Sequence, residues 1–175
     1  RQPLPAPLLD PDAPARLGER AHEVGSAIIM RGYHSPEAPP TQGFSDMIAR
    51  QLNTGGLTRK KAYKRIKEIL TASTTHHATA DLDTLSLTAL LFPDDPNESR
   101  NPAITGEGPR AQLNTPRDRY IVMARLLEYL CAERPVFIFL DDAHWSTETL
   151  ESVRLLLTEP QTRDLPIFIM VSVND

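Results

Sequence analysis

The chain has 175 residues, 40% hydrophobic and 24% charged, with a net charge of -4 and a sequence pI near 5.7. That is enough chain for one globular domain with its own core, and the acidic balance provides no electrostatic footprint for direct nucleic-acid binding. No apolar run approaches the ~18 residues that cross a bilayer, no secretion signal is present, and the single cysteine, Cys131, excludes an internal disulfide, so a cytoplasmic protein without a membrane partner is expected.

The 16 prolines mark the irregular chain, because each removes an N–H donor and biases its predecessor away from helix. Residues 1–14, with Pro3, Pro5, Pro7, Pro11 and Pro14, read as a tail or linker. A short helix is predicted over 15–24, with Leu17, Ala21 and Val24 on one face and Gly25 as its stop. A buried strand follows near 26–31. Residues 43–52 carry Phe44, Met47, Ile48 and Leu52 at helical spacing, and Asn53-Thr54-Gly55-Gly56 ends them. Thr58 then caps a basic amphipathic helix over 59–71, with Tyr63, Ile66 and Leu70 inward; Arg59, Lys60, Lys61, Lys64, Arg65 and Lys67 read as a solvated face. Residues 81–92 suit another short helix and 93–115 a polar surface loop. Pro116 opens a helix to 133 whose core face is Ile121, Ala124, Leu127 and Leu130, with Asp118 at its positive end. Cys131, inside this helix, reads as a packing residue rather than a nucleophile.

The most informative segment is 136–145. Val136-Phe137-Ile138-Phe139-Leu140 is continuously apolar, as strands of a parallel sheet are when helices cover both faces, and it runs straight into Asp141-Asp142. Open parallel sheets bind ligands beyond the carboxyl ends of their strands. There Asp141 can hold a hydrated Mg2+ through water, and Asp142 can orient or deprotonate a water. The same pair also makes a good turn and helix cap. Ser146-Thr147-Glu148-Thr149 follows as a helix start, near a capping box, with Leu150, Val153 and Leu157 as the apolar stripe. Asp164-Leu165-Pro166 breaks that helix, and 167–173 supplies a second apolar strand. Strand, acidic pair, helix and strand together make the Walker B arrangement of a P-loop nucleotide triphosphatase.

FIFLDDAHWSTETLESVRLLL and DLPIFIMVSVND, with Ser26 to His34 and Gly43 to Ala49 upstream, resemble the AAA-like ATPase domain of the signal-transduction ATPases with numerous domains. The resemblance covers roughly 15–175 and implies a three-layer P-loop α/β fold, incomplete here: strands near 26–31, 136–141 and 167–173, helices on both faces, and a helical insertion over 43–133. It implies ATP and Mg2+ as ligands of the complete domain. It assigns Asp141 to the Mg2+-water position and Asp142 to water activation, although many relatives have Glu there. His144 and Trp145 match the pattern after the acidic pair, which makes His144 a candidate cofactor-binding residue; capping and packing of the following helix are the other reading. Asn174, one residue past the third predicted strand, matches a polar residue that senses the terminal phosphate, and is equally a strand-end turn residue. The partners implied are covalently attached effector domains, such as a protein kinase, in a multidomain bacterial signalling protein.

A phosphate-gripping loop, Gly-x-x-x-x-Gly-Lys-Ser/Thr, is missing. Gly55-Gly56-Leu57-Thr58-Arg59-Lys60-Lys61 has no preceding strand and no Gly-Lys-Thr, and in Thr105-Gly106-Glu107-Gly108-Pro109 the proline removes an N–H where an anion nest needs one. In the family the loop directly precedes the helix over 15–24. Here residues 1–14 contain no glycine, so the expectation is either a fragment that lost its first strand or a member whose loop has decayed. The chain is therefore expected to bind nucleotide poorly, as part of a regulatory ATPase switch, or as a non-catalytic scaffold that keeps the fold for protein contacts. His76-His77 has no acids or cysteines at metal spacing.

Overall fold

The structure, a computed structural model, describes residues 16, 20, 23, 25–39, 41–72, 79–93 and 111–173. Arg16, Arg20 and Glu23 are helical and exposed, in line with a helix over 15–24. The tail, Leu17, Ala21, Val24, His76, His77, Thr105 to Pro109 and Asn174 lie outside the described residues.

Among the described residues, three parallel strands form the sheet: β1 (Ile28–Tyr33), β2 (Val136–Asp141) and β3 (Ile167–Val171), in spatial order β1-β2-β3. Among the described residues, four helices lie between β1 and β2 in the chain: α1 (Gln42–Gln51), α2 (Arg59–Ala72), α3 (Ala80–Leu91) and α4 (Pro116–Cys131). A one-turn 3-10 helix (Ala143–Trp145) and α5 (Thr147–Thr158) join β2 to β3. The mixed α/β class with a parallel sheet is as the apolar runs predict, and α1 to α4 fall between the first two strands.

β2 matches its predicted bounds, and the other two strands are displaced for identifiable reasons. β1 begins two residues late and continues through Gly32 and Tyr33 to pair with Asp141. Gly25, in the left-handed region at φ 69°, turns the chain ahead of the strand. Gly32 stays in the strand because its bare Cα lets Leu140 close in: a Cβ there would lie 2.9 Å from Leu140 Cδ2. β3 ends two residues early. Ser172 donates its N–H to Leu140 O (2.8 Å) and its carbonyl accepts from Ala143 N–H (3.2 Å), which draws the chain over the end of β2.

The register puts Ile28, Val136 and Ile167 in one row, with Met30, Ile138 and Ile169 in the next and Gly32, Leu140 and Val171 in the third. This face packs into the main core with Phe44, Met47 and Ile48 of α1, Ile66 and Leu70 of α2, Leu87 of α3, Leu126 and Leu127 of α4 and Leu156 of α5. Each such side chain contributes roughly 1.5–3 kcal/mol by leaving water. Ile29, Phe137 and Phe168 form the first row of the opposite face, where the Phe137 and Phe168 rings meet at 5.4 Å and Phe168 remains 44% exposed. α3 and α4 are joined by the buried Asp83, which forms an ion pair with Arg125 (Nε–Oδ1 2.6 Å, with Nη2 donating to Oδ2 at 3.4 Å) and accepts the Tyr129 hydroxyl at 2.9 Å. That pairing satisfies a carboxylate which would otherwise be costly to bury.

Three predicted core assignments are corrected. Ile121 is 45% exposed, because α4 buries Tyr120, Val122 and Met123 in the same turn and its outward line falls at Ile121. Tyr63 is only half-buried, with Ala62 taking the inward place on α2. On α5 the inward line is Thr149, Ser152 and Leu156, with Val153 partly buried, while Leu150 and Leu157 face outward.

Candidate functional site

The end of β2 is where the sheet presents its carboxylates. Asp141 is the last residue of the strand and is exposed; Asp142 follows it in the left-handed conformation (φ 53°, ψ 34°). That conformation costs an L-residue on the order of 1 kcal/mol, less for Asp, and breaks the extended chain at once. Ala143 to Trp145 then make the 3-10 turn, and the Ser146 hydroxyl accepts the Thr149 N–H at 3.1 Å to cap α5. Glu148 lies one position short of a capping box and instead forms a two-point pair with Arg119 of α4, Nε–Oε1 2.7 Å and Nη2–Oε2 2.8 Å. Thus the acidic pair is held in a turn of its own, while a separate serine caps the helix.

Ser172, the first residue past β3, secures the turn from one side. Its hydroxyl donates to Asp141 Oδ1 and accepts the Asp142 N–H at 3.2 Å. Asp141 Oδ2 receives no hydrogen bond from the described residues. The carboxylate is therefore oriented through one oxygen, with the other available, a donor set that suits a hydrated hard cation. Among the described residues no group of three or more His, Cys, Asp or Glu side chains gathers to enclose a metal, so any cation here would keep most of its water. A cavity of about 150 Å³ opens beside the carboxylate between Arg31, Tyr33, Phe139 and Ser172. The Arg31 guanidinium carbon lies 5.6 Å from the Phe139 ring centroid within it, at cation–π range.

From the other side comes His34, one residue past β1 and 9% exposed. Its Nδ1 lies 2.9 Å from the Asp141 carbonyl and its Nε2 2.9 Å from the Thr149 hydroxyl. The His34 backbone N–H also donates to the Asp141 carbonyl, at 3.1 Å.

The sequence-derived candidates fare differently. Asp141 and Asp142 come together with Ser172 at the strand ends. The His144 ring packs on Trp145 at 4.5 Å, and its Nδ1 is buried with no hydrogen-bond partner among the described residues. Trp145 is 49% exposed, and Ser146 rather than either aromatic caps α5. Sequence reasoning does not single out Ser172 or His34. The available signal for Ser172 is a hydroxyl directly after an apolar run; for His34 it is a place just past a strand whose predicted end falls two positions early. No helix among the described residues is long and apolar enough to cross a membrane. Comparison of the chain with family models, curated proteins and solved structures gave no match.

Proposed function

We propose that the chain carries the metal-and-water half of a nucleotide site, within a regulatory ATPase module that binds and slowly hydrolyses ATP to switch a multidomain signalling protein. The observation that carries this reading is the pairing of Asp141 and Asp142 at the carboxyl end of the central parallel strand, with Ser172 of the neighbouring strand orienting the first carboxylate. Asp141 would hold Mg2+ through water by its free Oδ2; bound there, the ion would offset phosphate charge. Asp142, lifted out of the strand by its left-handed turn, would orient and deprotonate the attacking water. The phosphates themselves require a glycine-rich loop that this sequence does not contain, which is why the site is proposed as a half-site. Attached effector domains, such as a protein kinase, would be the partners that respond.

A non-catalytic scaffold is the second reading. The lack of a phosphate loop favours it, as does α2, whose Lys60, Lys61 and Lys64 are exposed and suit protein contacts.

Turnover of Mg-ATP by the full-length gene product separates the two. The Asp142→Asn protein is expected to keep nucleotide binding and to lose roughly 10²-fold or more of its hydrolysis rate, the usual worth of a positioned general base. Turnover unchanged in that variant would remove Asp142 from the chemistry, and wild-type protein without any turnover would leave the scaffold.

A further inference from the structure

We infer that His34 is the positioning residue of the acidic turn, with Thr149 and Gly43 fixing its imidazole. This assignment rests on the half-site reading for its functional meaning, although its geometry stands by itself. The peptide unit joining Asp141 to Asp142 is planar, so its carbonyl and its N–H move together. The carbonyl is held by two donors of one residue, the His34 backbone N–H at 3.1 Å and its Nδ1 at 2.9 Å. The N–H of the same unit is held by Ser172 Oγ at 3.2 Å. A peptide gripped at both ends cannot rotate, and its rotation is what would swing the Asp141 and Asp142 side chains relative to each other.

The ring is committed to one tautomer by its partners. A carbonyl oxygen only accepts, so Nδ1 carries the proton; Nε2 of the neutral ring then accepts from the Thr149 hydroxyl at 2.9 Å. This explains why α5 turns Thr149 rather than an apolar residue inward. It also gives Gly43 a purpose. Gly43 sits near the start of α1, where alanine is intrinsically the better helix former, yet a Cβ there would stand 2.3 Å from His34 Nε2. The start of α1, β1, the acidic turn and α5 therefore meet at a single side chain.

The test is amide hydrogen exchange on the 175-residue chain, read at Asp142 and Ala143 and compared with Ile138 in the middle of β2. His34→Ala is expected to speed exchange at the two turn amides by about tenfold or more, as a local opening, with Ile138 unchanged. His34→Asn, whose amide N–H can take the place of Nδ1–H, is expected to restore most of the protection. His34→Gln reaches toward Thr149 instead and is expected to behave as His34→Ala, and Gly43→Ala is expected to reproduce the same local loss by displacing the ring. In wild-type protein, nitrogen chemical shifts of the imidazole are expected to report the Nδ1–H tautomer. An Nε2–H tautomer, rescue by Gln equal to rescue by Asn, or loss spread equally to Ile138 would overturn the assignment. These readouts need no nucleotide: absence of ATP turnover in the full-length product would refute the half-site, whereas the positioning role of His34 stands or falls by exchange and tautomer.

Discussion

Burial acts on Cys131 as it does on any thiol placed in apolar surroundings, pushing its pKa up to about 11. An upward shift means less thiolate at neutral pH, hence a slower nucleophile. Alkylation by iodoacetamide near pH 8 is expected to run about a hundredfold slower in the folded chain than at the same cysteine in urea, in proportion to the thiolate lost. Reaction of the folded protein at the free-thiol rate would show that the site is open. The residues of the acidic turn follow a different logic, that of bonding geometry rather than burial. Asp141 and Asp142 are legible from composition alone, because five apolar residues ending in two acids is an uncommon pattern. Ser172 and His34 are not, since they act through contacts to residues 30 and 107 positions away, and no local pattern encodes such a partner.

Elements whose ends are set by local chemistry are the most predictable. α4 begins where Thr115-Pro116-Arg117-Asp118 places it: the Thr115 hydroxyl accepts the Asp118 N–H at 3.1 Å and Asp118 Oδ2 accepts the Thr115 N–H at 2.8 Å. The Thr115 hydroxyl, then its backbone N–H, holds the Asp118 carboxyl below the usual range. A depressed carboxylate adds stability that is present above its unfolded pKa and lost as pH falls through the folded one. Thr115→Ala is expected to cost about 1 kcal/mol near pH 7, measured by urea denaturation, with a smaller difference once the pH has dropped below the carboxylate range. An equal cost at both pH values would mean that the Thr115 hydroxyl does not act on the Asp118 carboxylate. Elements whose orientation depends on partners are less predictable. The stripe Leu150, Val153, Leu157 has good helical spacing, but α5 is rotated so that Thr149 reaches His34 and Ser152 is buried. A tertiary hydrogen bond outweighs an apolar pattern, and Leu157 is left 59% exposed. The bounds of β1 and β3 differ by two residues from those predicted because their ends are defined by ladder partners on β2, which the sequence of either strand does not contain.

At the scale of the molecule, the parallel sheet brings three strand ends to one edge, and the acidic turn sits at the middle one between Tyr33 of β1 and Ser172 beyond β3. The class is readable because two uninterrupted apolar runs flank a helix of ordinary length. The strand order requires long-range pairing across the helices α1–α4. The chain carries 23 acidic residues, so a cation has many weak alternatives to Asp141. Paramagnetic broadening by Mn2+ in the 15N-labelled chain distinguishes a built site from that background. The amides of Asp141, Asp142, Ala143 and Ser172 are expected to broaden first, and Asp141→Asn is expected to abolish the effect. Broadening centred on other carboxylates, or surviving Asp141→Asn, would contradict a metal-and-water half-site at the end of β2.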